Sequence, residues 1–480
     1  MTLSPPPLVA NQPSFLRMSG VLVAVYLCAF AANAQTSERA PGNDLSKEEG
    51  SLRAQAVGNQ LIRYLDTWTS VSSNDAQQRQ ARLTADSVAE AVRKHPEFLA
   101  ARAALNSSRE GVDEARAAWW PQVSGNTGFG SRTTSGISVS TPSYGFTISQ
   151  LLFDFGNTSA KVDAAETRVQ GAVAGLDKKQ AVVVMRAVSA WHELYRARKL
   201  MELHRLNVQA RQDIVAFIKE RADLGGSAAS DVLRARARQT EAEASLSAAS
   251  VREQAAESAW LEVFQAPAPL QVEVWPDFPI QIATLQAQVD QLVSRFATVQ
   301  EARQLSLASE KEAVAARANL FPRLALEHSV AQNKQAASGI EYTDRSTLFT
   351  LRYNFLSGGA EMARARQAAS RAVELAQQAD NEQRITEKNL RQTLSEVALG
   401  QEILRNRRLA VGVANDTLMA VREQFAFRRG TLLDLLRAQE DVFMSGRDLI
   451  DAVTDHALAR YRLLYMASLL DEHFSLGATP

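Results

Sequence analysis

Apolar and polar residues alternate strictly in four short segments of the chain, two in each half. An alternation with period two predicts β-strands that expose one apolar and one polar face. Each segment has about 10–12 residues, which is the length that a tilted strand needs to cross a bilayer. The apolar positions are Val123, Gly125, Thr127 and Phe129; Tyr144, Phe146 and Ile148; Leu324, Leu326, His328 and Val330; and Phe349, Leu351, Tyr353 and Phe355.

Aromatic residues gather at one end of these strands, as in the interfacial girdle of a membrane sheet. They are Trp119, Trp120, Phe153, Phe155, Phe321 and Phe355. Polar turns at 131–143 and 333–346 join the strands into two β-hairpins, at about 120–155 and 321–356. Four strands cannot close a barrel, and lipid does not tolerate open sheet edges. We therefore expect a barrel shared between chains, with eight strands from two copies or twelve from three.

Two long segments have the composition of uninterrupted helices. Proline is absent between Pro142 and Pro267 and again between Pro322 and Pro480, and strong helix formers predominate there. Each long helix would span on the order of 90–100 Å. Its narrow, alanine-rich apolar stripe favours close packing as in a coiled coil. The predicted long helices and their return helices lie at 156–224, about 230–264, 358–427 and about 431–470.

The two halves of the chain repeat one another. Residues 114–121 return as 315–322, 201 positions later, and residues 231–235 return as 434–438, 203 positions later. A register kept over this distance indicates two copies of one structural unit. Each copy has a helix, a β-hairpin and a long helical hairpin. The predicted boundaries are 83–280 for the first repeat, 281–475 for the second and 476–480 for a tail.

Residues 1–34 have the features of a secretory signal peptide. Arg17 precedes an apolar run at 21–31, and a small-x-small cleavage site follows at 32–34. The run is too short to span a bilayer comfortably. Two bulky residues precede Cys28, the one cysteine of the chain, and disfavour its lipidation. We therefore expect export and removal of this segment.

Residues 35–82 form a polar segment between the signal peptide and the first repeat. Their composition predicts a flexible extension. Within it, Ile62, Tyr64, Leu65 and Trp68 have the spacing of one short docking helix.

Charge and motif content disfavour several classes of function. The chain carries 53 Lys and Arg against 53 Asp and Glu, so no overall charge favours nucleic acid. His192, Glu193 and His204 lack the spacing of a His-Glu-x-x-His metal site. Neither a glycine-rich phosphate loop nor a nucleophile-elbow motif occurs. We expect a protein that is not an enzyme and has no cofactor or metal.

Two other architectures account for part of the pattern. Helical periodicity alone fits a free-standing coiled-coil rod, which the alternating segments disfavour. A periplasmic adaptor also combines strands with a long helical hairpin. Adaptors usually interrupt a β-rich body with one hairpin, whereas this chain has two.

Several short motifs follow one another in a specific order along residues 83–470. They are His95-Pro96, Ala117–Pro121, Gln150–Gly156, Arg221–Gly225 with Asp231, and Gln424–Phe427 with Thr431–Ala438. In order, spacing and duplication they resemble the TolC-like outer-membrane channel-tunnel family, the outer membrane efflux proteins. The last motif is most similar to the branch for type I secretion, especially the export of large adhesins.

The resemblance implies a mostly α-helical protein with membrane β-strands. Three chains would form a homotrimer in which four strands per chain build a twelve-stranded barrel in the outer membrane of a Gram-negative bacterium. A duplicated coiled-coil tunnel would continue into the periplasm. The function implied is a passive conduit, with a periplasmic adaptor and an inner-membrane ABC transporter or other pump as partners. Protein secretion is the preferred interpretation, and drug efflux is the alternative.

In this family the tips of the helical hairpins form the periplasmic entrance. Here the tips are residues 223–230, with Gly225 and Gly226, and residues 426–433. Asp434 matches the first of two carboxylates that the family carries at the second tip. Three neighbours depart from the family pattern: Arg428 replaces a turn glycine, Gly430 replaces a basic residue and Arg437 replaces the second carboxylate.

These departures predict a changed second tip. Asp434 and Arg437 lie three residues apart on one helix face, so we expect them to pair, or Asp434 to contact Arg429, in the closed entrance. The alternative is that Asp434 caps the return helix. The turn glycine is expected to have moved to Gly430. Asp231 in the first copy is expected to be a carboxylate of the first helical turn.

Polar residues of the second β-hairpin are expected to face the barrel lumen. They are Arg323, Glu327, Thr350, Arg352 and Asn354. A polar strand face is expected there whatever the channel transports.

Overall fold

The computed structural model describes residues 59–69, 85–128, 130–134, 137–272, 280–335, 340–355 and 357–474. The predicted signal peptide, the rest of the extension and the tail lie outside the described residues. All described residues belong to one compact unit, residues 50–480. Within the described ranges, no helix is both long enough and apolar enough to cross a membrane.

Each half contains a 22-residue helix, a 67-residue helix and a return helix. The helices are α1 Asn59–Thr69, α2 at 85–94, α3 Pro96–Ala117, α4 Asn157–Asp223, α5 Ala229–Phe264, α6 Ile282–Ala287, α7 Val289–Arg295, α8 Ala297–Ala318, α9 Ala360–Ala426, α10 Leu432–Met466 and α11 Leu470–His473. Helices α4 and α9 have 67 residues each, so each is on the order of 100 Å long. Helices α3 and α8 have 22 residues each. The predicted long helices and their return helices are therefore present.

The second return helix is shorter than the sequence indicates. Helix α10 ends at Met466, and the separate helix α11 begins at Leu470. Between them Ser468 adopts a left-handed φ of 57°, which a continuous right-handed helix does not accommodate.

Helix α1 is the docking helix predicted within the extension. Leu61 and Leu65 lie one turn apart on it and are fully buried. Tyr64 and Trp68 pack against the same buried clusters. Residues 59–69 are thus a packed helix rather than part of a flexible segment.

Helices α5 and α9 bury small residues at intervals of seven. The buried positions are Ala235, Ala242, Ala249 and Ala256 in α5, and Ala365, Ala372 and Ala379 in α9. A seam with this period is typical of a coiled coil, and alanine lets the helices approach closely. Helix α5 packs against α4, and α9 packs against α8 and α10.

One antiparallel sheet joins the hairpins of both repeats. Its strands are β1 Gln122–Gly128, β2 Ser131–Thr134, β3 Ile137–Phe153, β4 Arg323–Gln335 and β5 Glu341–Arg352. Their order is β1-β3-β4-β5, and β2 continues the line of β1 beside β3. The sheet therefore has the four predicted strand positions, with β1–β2 and β5 at its edges.

The strands extend into both segments that the sequence analysis assigned to turns. Strand β2 and the start of β3 lie within 131–143, where Thr134 pairs with Ile137. Strand β4 runs to Gln335 and β5 starts at Glu341, so the second turn is also shorter than predicted. Backbone pairing across the hairpin satisfies the peptide groups of these polar residues. Their polar side chains alone had predicted loops.

Candidate functional site

The first helical tip turns through two glycines. Helix α4 ends at Asp223, and Gly225 takes a left-handed φ of 73°. The Gly226 N–H donates to the Arg221 carbonyl at 2.8 Å, and the Gly225 N–H donates to the Ala222 carbonyl at 2.9 Å. These two bonds form a Schellman-type end that satisfies the last carbonyls of the helix. A Cβ on Gly226 would lie 3.1 Å from Arg221 Cγ.

The second tip has the same backbone with a different residue in the strained position. Arg428, which lies 203 residues after Gly225, has a left-handed φ of 60°. The Arg429 N–H donates to the Gln424 carbonyl at 2.8 Å, as Gly226 does in the first tip. The expectation that the turn glycine had moved is therefore wrong, because Gly430 lacks a positive φ. Gly430 instead allows a close approach, since a Cβ there would lie 3.2 Å from Phe425 N.

We expect the two tips to respond oppositely to exchange of their left-handed residue. Arg428→Gly should stabilise the second tip by about 1 kcal/mol, because glycine removes the steric cost of a left-handed residue. Gly225→Ala should destabilise the first tip by about 1 kcal/mol for the same reason. Amide hydrogen exchange at the ends of α4 and α9 measures both effects. Arg429→Gly is the control, and an equal gain in that variant would contradict the explanation.

Asp434 lies in the first turn of α10 and closes a capping box with the N-cap residue Thr431. Its carboxylate accepts hydrogen bonds from the Thr431 hydroxyl at 2.6 Å and the Thr431 N–H at 3.3 Å. The Asp434 N–H donates to the Thr431 hydroxyl at 3.3 Å, which completes a capping box. Among the described residues, Asp434 makes no ion pair within 4.0 Å with Arg437 or Arg429. The predicted Asp434–Arg437 pair is thus not formed in the chain, and the capping alternative describes the structure.

Nearby donors determine the protonation of Asp434. Hydrogen bonds from Thr431, and then the positive charge of Arg437, hold the pKa of this carboxyl below its usual range. The cap is therefore complete at neutral pH and is lost as the pH falls through the depressed pKa. Asp434→Ala should speed amide exchange in the first turn of α10 at neutral pH. Thr431→Ser keeps the hydroxyl and should leave the exchange rate unchanged; equal rates in all three proteins would contradict the capping role.

Asp231 lies in the first turn of α5, as expected. It is 3.7 Å from Arg234 across one helical turn, and the arginine side chain is largely exposed. A carboxylate in this position interacts favourably with the positive end of the helix dipole.

The five residues expected to face a lumen lie together on one side of the sheet. A cavity of about 690 Å³ is lined by Arg323, Glu327, Thr350, Arg352 and Asn354. Arg352 Nη2 lies 3.2 Å from Glu327 Oε1, and Arg323 donates to the side chain of Asn319. Arg323 and Arg352 are direct partners in the β4–β5 register, so the sheet contributes two facing cations and one carboxylate to this cavity.

The opposite side of the sheet is apolar and exposed in the single chain. Val123, Phe349 and Leu351 are 68%, 75% and 66% exposed. The aromatic residues cluster where the strands meet the helices, with Phe155 4.7 Å from Phe153 and 5.0 Å from Phe321 between ring centres. An exposed apolar face of this extent indicates contact with lipid or a partner.

Residues that the sequence pattern did not single out fix the passage from sheet to helix. Buried Asp154 accepts hydrogen bonds from Thr158 N at 2.7 Å, Thr158 Oγ1 at 2.6 Å and Gly156 N at 3.2 Å. Asn157 Nδ2 donates to the Ala315 carbonyl at 2.7 Å and ties the start of α4 to α8. An acidic residue just before a helix is a capping signal, and this was the available clue.

Similarity to known proteins extends over most of the chain. Residues 87–260 match the sequence family of outer membrane efflux proteins. The chain is 26% identical over 381 residues to the outer membrane efflux protein BepC of Brucella suis biovar 1, covering 75% of this chain and 81% of that protein. It is 26% identical over 443 residues to the proteases secretion protein PrtF of Dickeya chrysanthemi, covering 89% and 91%.

The fold is also that of a solved outer membrane protein. The outer membrane protein VceC of Vibrio cholerae superimposes with a TM-score of 0.71 at 17% identity, covering 82% of this chain and 97% of that one. The same overall fold thus occurs in a protein with little sequence identity. By sequence and by fold, the chain is therefore similar to outer membrane efflux and secretion proteins over most of its length.

Proposed function

We propose that the protein is the outer-membrane channel of a tripartite export machine. The observation that carries this proposal is the sheet, which has an exposed apolar side, a polar side with a cavity, and two long helical hairpins at one end. A sheet of this kind suits a wall between lipid and an aqueous lumen. The helices then extend the conduit by on the order of 100 Å.

Three chains complete the wall in this proposal. Strand β5 and the β1–β2 position are edge strands within the described sheet, and their unpaired peptide groups need partners in lipid. Twelve strands from a homotrimer close the sheet and leave a lumen wide enough for transport. A periplasmic adaptor and an inner-membrane transporter would dock at the helical tips. The role of Asp434, Arg437, Arg429, Gly430, Gly225, Gly226 and Asp231 at the entrance belongs to this proposal.

The proposed cargo is secreted polypeptide. The similarity to PrtF, a proteases secretion protein, extends over nearly the whole chain and supports a type I secretion system. The second candidate is small-molecule efflux, which the similarity to the efflux protein BepC favours. Deleting the gene distinguishes the two cargoes. Loss of a protein from the culture medium without antibiotic sensitivity supports secretion. Antibiotic sensitivity without loss of a secreted protein supports efflux.

Fractionation and planar-bilayer recording test the channel itself. Detergent-extracted outer membranes should contain a heat-modifiable trimer, and the purified trimer should conduct ions. Recovery of a soluble periplasmic protein without conductance would contradict the proposal and favour a periplasmic adaptor.

A further inference from the structure

Helix α1 lies across helices of both repeats. Its two fully buried leucines belong to a cluster that α4, α9 and α10 share. Leu65 covers Gly446 of α10 so closely that a Cβ on this glycine would lie 2.6 Å from Leu65 Cδ2. The Tyr64 hydroxyl donates to the Lys199 carbonyl of α4 at 3.2 Å. Helix α1 therefore touches the long helix of the first repeat and the return helix of the second.

Polar contacts join α1 to the third helix, α9. Arg422 Nη1 donates to Asn59 Oδ1 at 2.9 Å, and Asn415 Nδ2 donates to Asp66 Oδ1 at 3.4 Å. Arg422 lies only one helical turn before the end of α9 at the second tip. A movement of α4 relative to α9 and α10 along this part of the helices would change these contacts.

The docking of α1 combines favourable and unfavourable burial. Burial of Leu61 and Leu65 favours the docked position. The same arrangement buries the Arg422 side chain to 3% exposure, and among the described residues its hydrogen-bond acceptor is an amide and not a carboxylate. Burial lowers the pKa of Arg422 to about 10. Burying a cation without a counter-charge is unfavourable, so release of α1 would relieve part of the cost of burying Arg422.

We propose that α1 is an intramolecular latch on the channel entrance. When docked, it holds the first-repeat helix α4 against the second-repeat helices α9 and α10 and keeps the entrance narrow. When released, it frees the two repeats to move apart and hydrates Arg422. This inference rests on the proposed channel function only for its effect on transport; the mechanical coupling of the repeats stands on the contacts of α1.

A reversible disulfide tests the latch in one protein. Leu65→Cys with Gly446→Cys places one thiol on each side of the α1–α10 contact, where the Cβ position of residue 446 lies 2.6 Å from Leu65 Cδ2, and Cys28 in the predicted signal peptide is the one native cysteine. Oxidised protein should show about tenfold slower amide exchange at the second tip and about tenfold lower conductance than the same sample after reduction. Equal exchange in both redox states would overturn the latch, and so would failure of the disulfide to form in folded protein.

The two readouts separate the latch from the proposed function. Absence of conductance in the wild-type trimer would contradict the channel, whereas the redox difference in exchange would still support the coupling of the repeats. Conductance that is equal in both redox states would contradict the latch and leave the channel intact.

Two variants should shift the latch in opposite directions. Leu61→Ala with Leu65→Ala removes the favourable burial and should raise channel opening by about tenfold, whereas Arg422→Met removes the buried charge and should lower it. Arg63→Ala changes an exposed residue of α1 and is the matched control. Equal opening in these variants and the control, or a change in the same direction in both, would overturn the latch.

Discussion

Lowering the pH from 7 to about 4 is expected to remove about 3 kcal/mol of the free energy of unfolding through His192 alone. This side chain is fully buried in α4, where Nδ1 lies 2.8 Å from the Val188 carbonyl. Burial lowers the pKa of His192 from 6.5 to about 4. Between these two values the unfolded chain binds a proton that the folded protein does not bind, so stability falls as the pH falls.

Chemical unfolding of the purified protein at several pH values measures this effect. His192→Leu replaces the imidazole with an apolar side chain, and it should reduce the loss of stability between pH 7 and 4 by about 3 kcal/mol. Glu193→Gln removes a half-exposed charge next to it and should retain the wild-type pH dependence. Parallel pH profiles for wild type and His192→Leu would show that this histidine does not carry the effect.

Glu440→Ala is expected to lower the free energy of unfolding by about 2–3 kcal/mol. Its partner Arg211 is 2% exposed and joins α4 of the first repeat to α10 of the second. Arg211 Nη1 also donates to the Leu436 carbonyl at 3.2 Å. Burial lowers the pKa of Arg211, and Glu440 opposes that shift. Removal of the carboxylate leaves a buried cation, although the half-exposed position of Glu440 moderates the loss.

Replacing both partners distinguishes the loss of the Arg211–Glu440 ion pair from the cost of leaving Arg211 buried without a counter-charge. Arg211→Met with Glu440→Leu should remain within about 1 kcal/mol of wild type, because an apolar pair often replaces a buried ion pair without loss. Glu387→Ala, which removes the largely exposed pair with Arg391, should change stability far less. A loss in the double variant as large as in Glu440→Ala would show that the specific ion pair stabilises the fold.

The repeated helices could be predicted because their signals are local and periodic. The absence of proline predicted the ends of α4 and α9 to within one or two residues. The predicted alanine stripe corresponds to a seam of buried alanines at intervals of seven. The ends of the hairpins were less predictable. Short polar residues such as Thr133 and Thr134 are compatible with turns and with strands, and pairing with β3 decides between them.

Other features depend on which of several possible interactions is the strongest, and a sequence pattern does not indicate this. Asp434 could interact with Thr431 or with Arg437. In the part of the chain that the structure describes, it accepts hydrogen bonds from Thr431 and forms no ion pair with Arg437. Arg428 keeps a left-handed turn because the Schellman bonds around it remain intact. Burial of Arg211, His192 and Arg422 depends on contacts with helices distant in sequence. From the sequence of one helix alone, these residues would be assigned to its solvent-exposed face.

The equivalent tips have nearly the same backbone but different charge. In the proposed trimer, tips with Gly225 and Gly226 would alternate around the ring with tips that carry Arg428 and Arg429. The backbone would then approach sixfold symmetry, while the electrostatic potential would have threefold symmetry. A partner that recognises shape would meet six similar sites, and one that recognises charge would meet three. In the proposed trimer, duplication within a chain would therefore let one entrance offer either six or three equivalent sites to the proteins that dock on it.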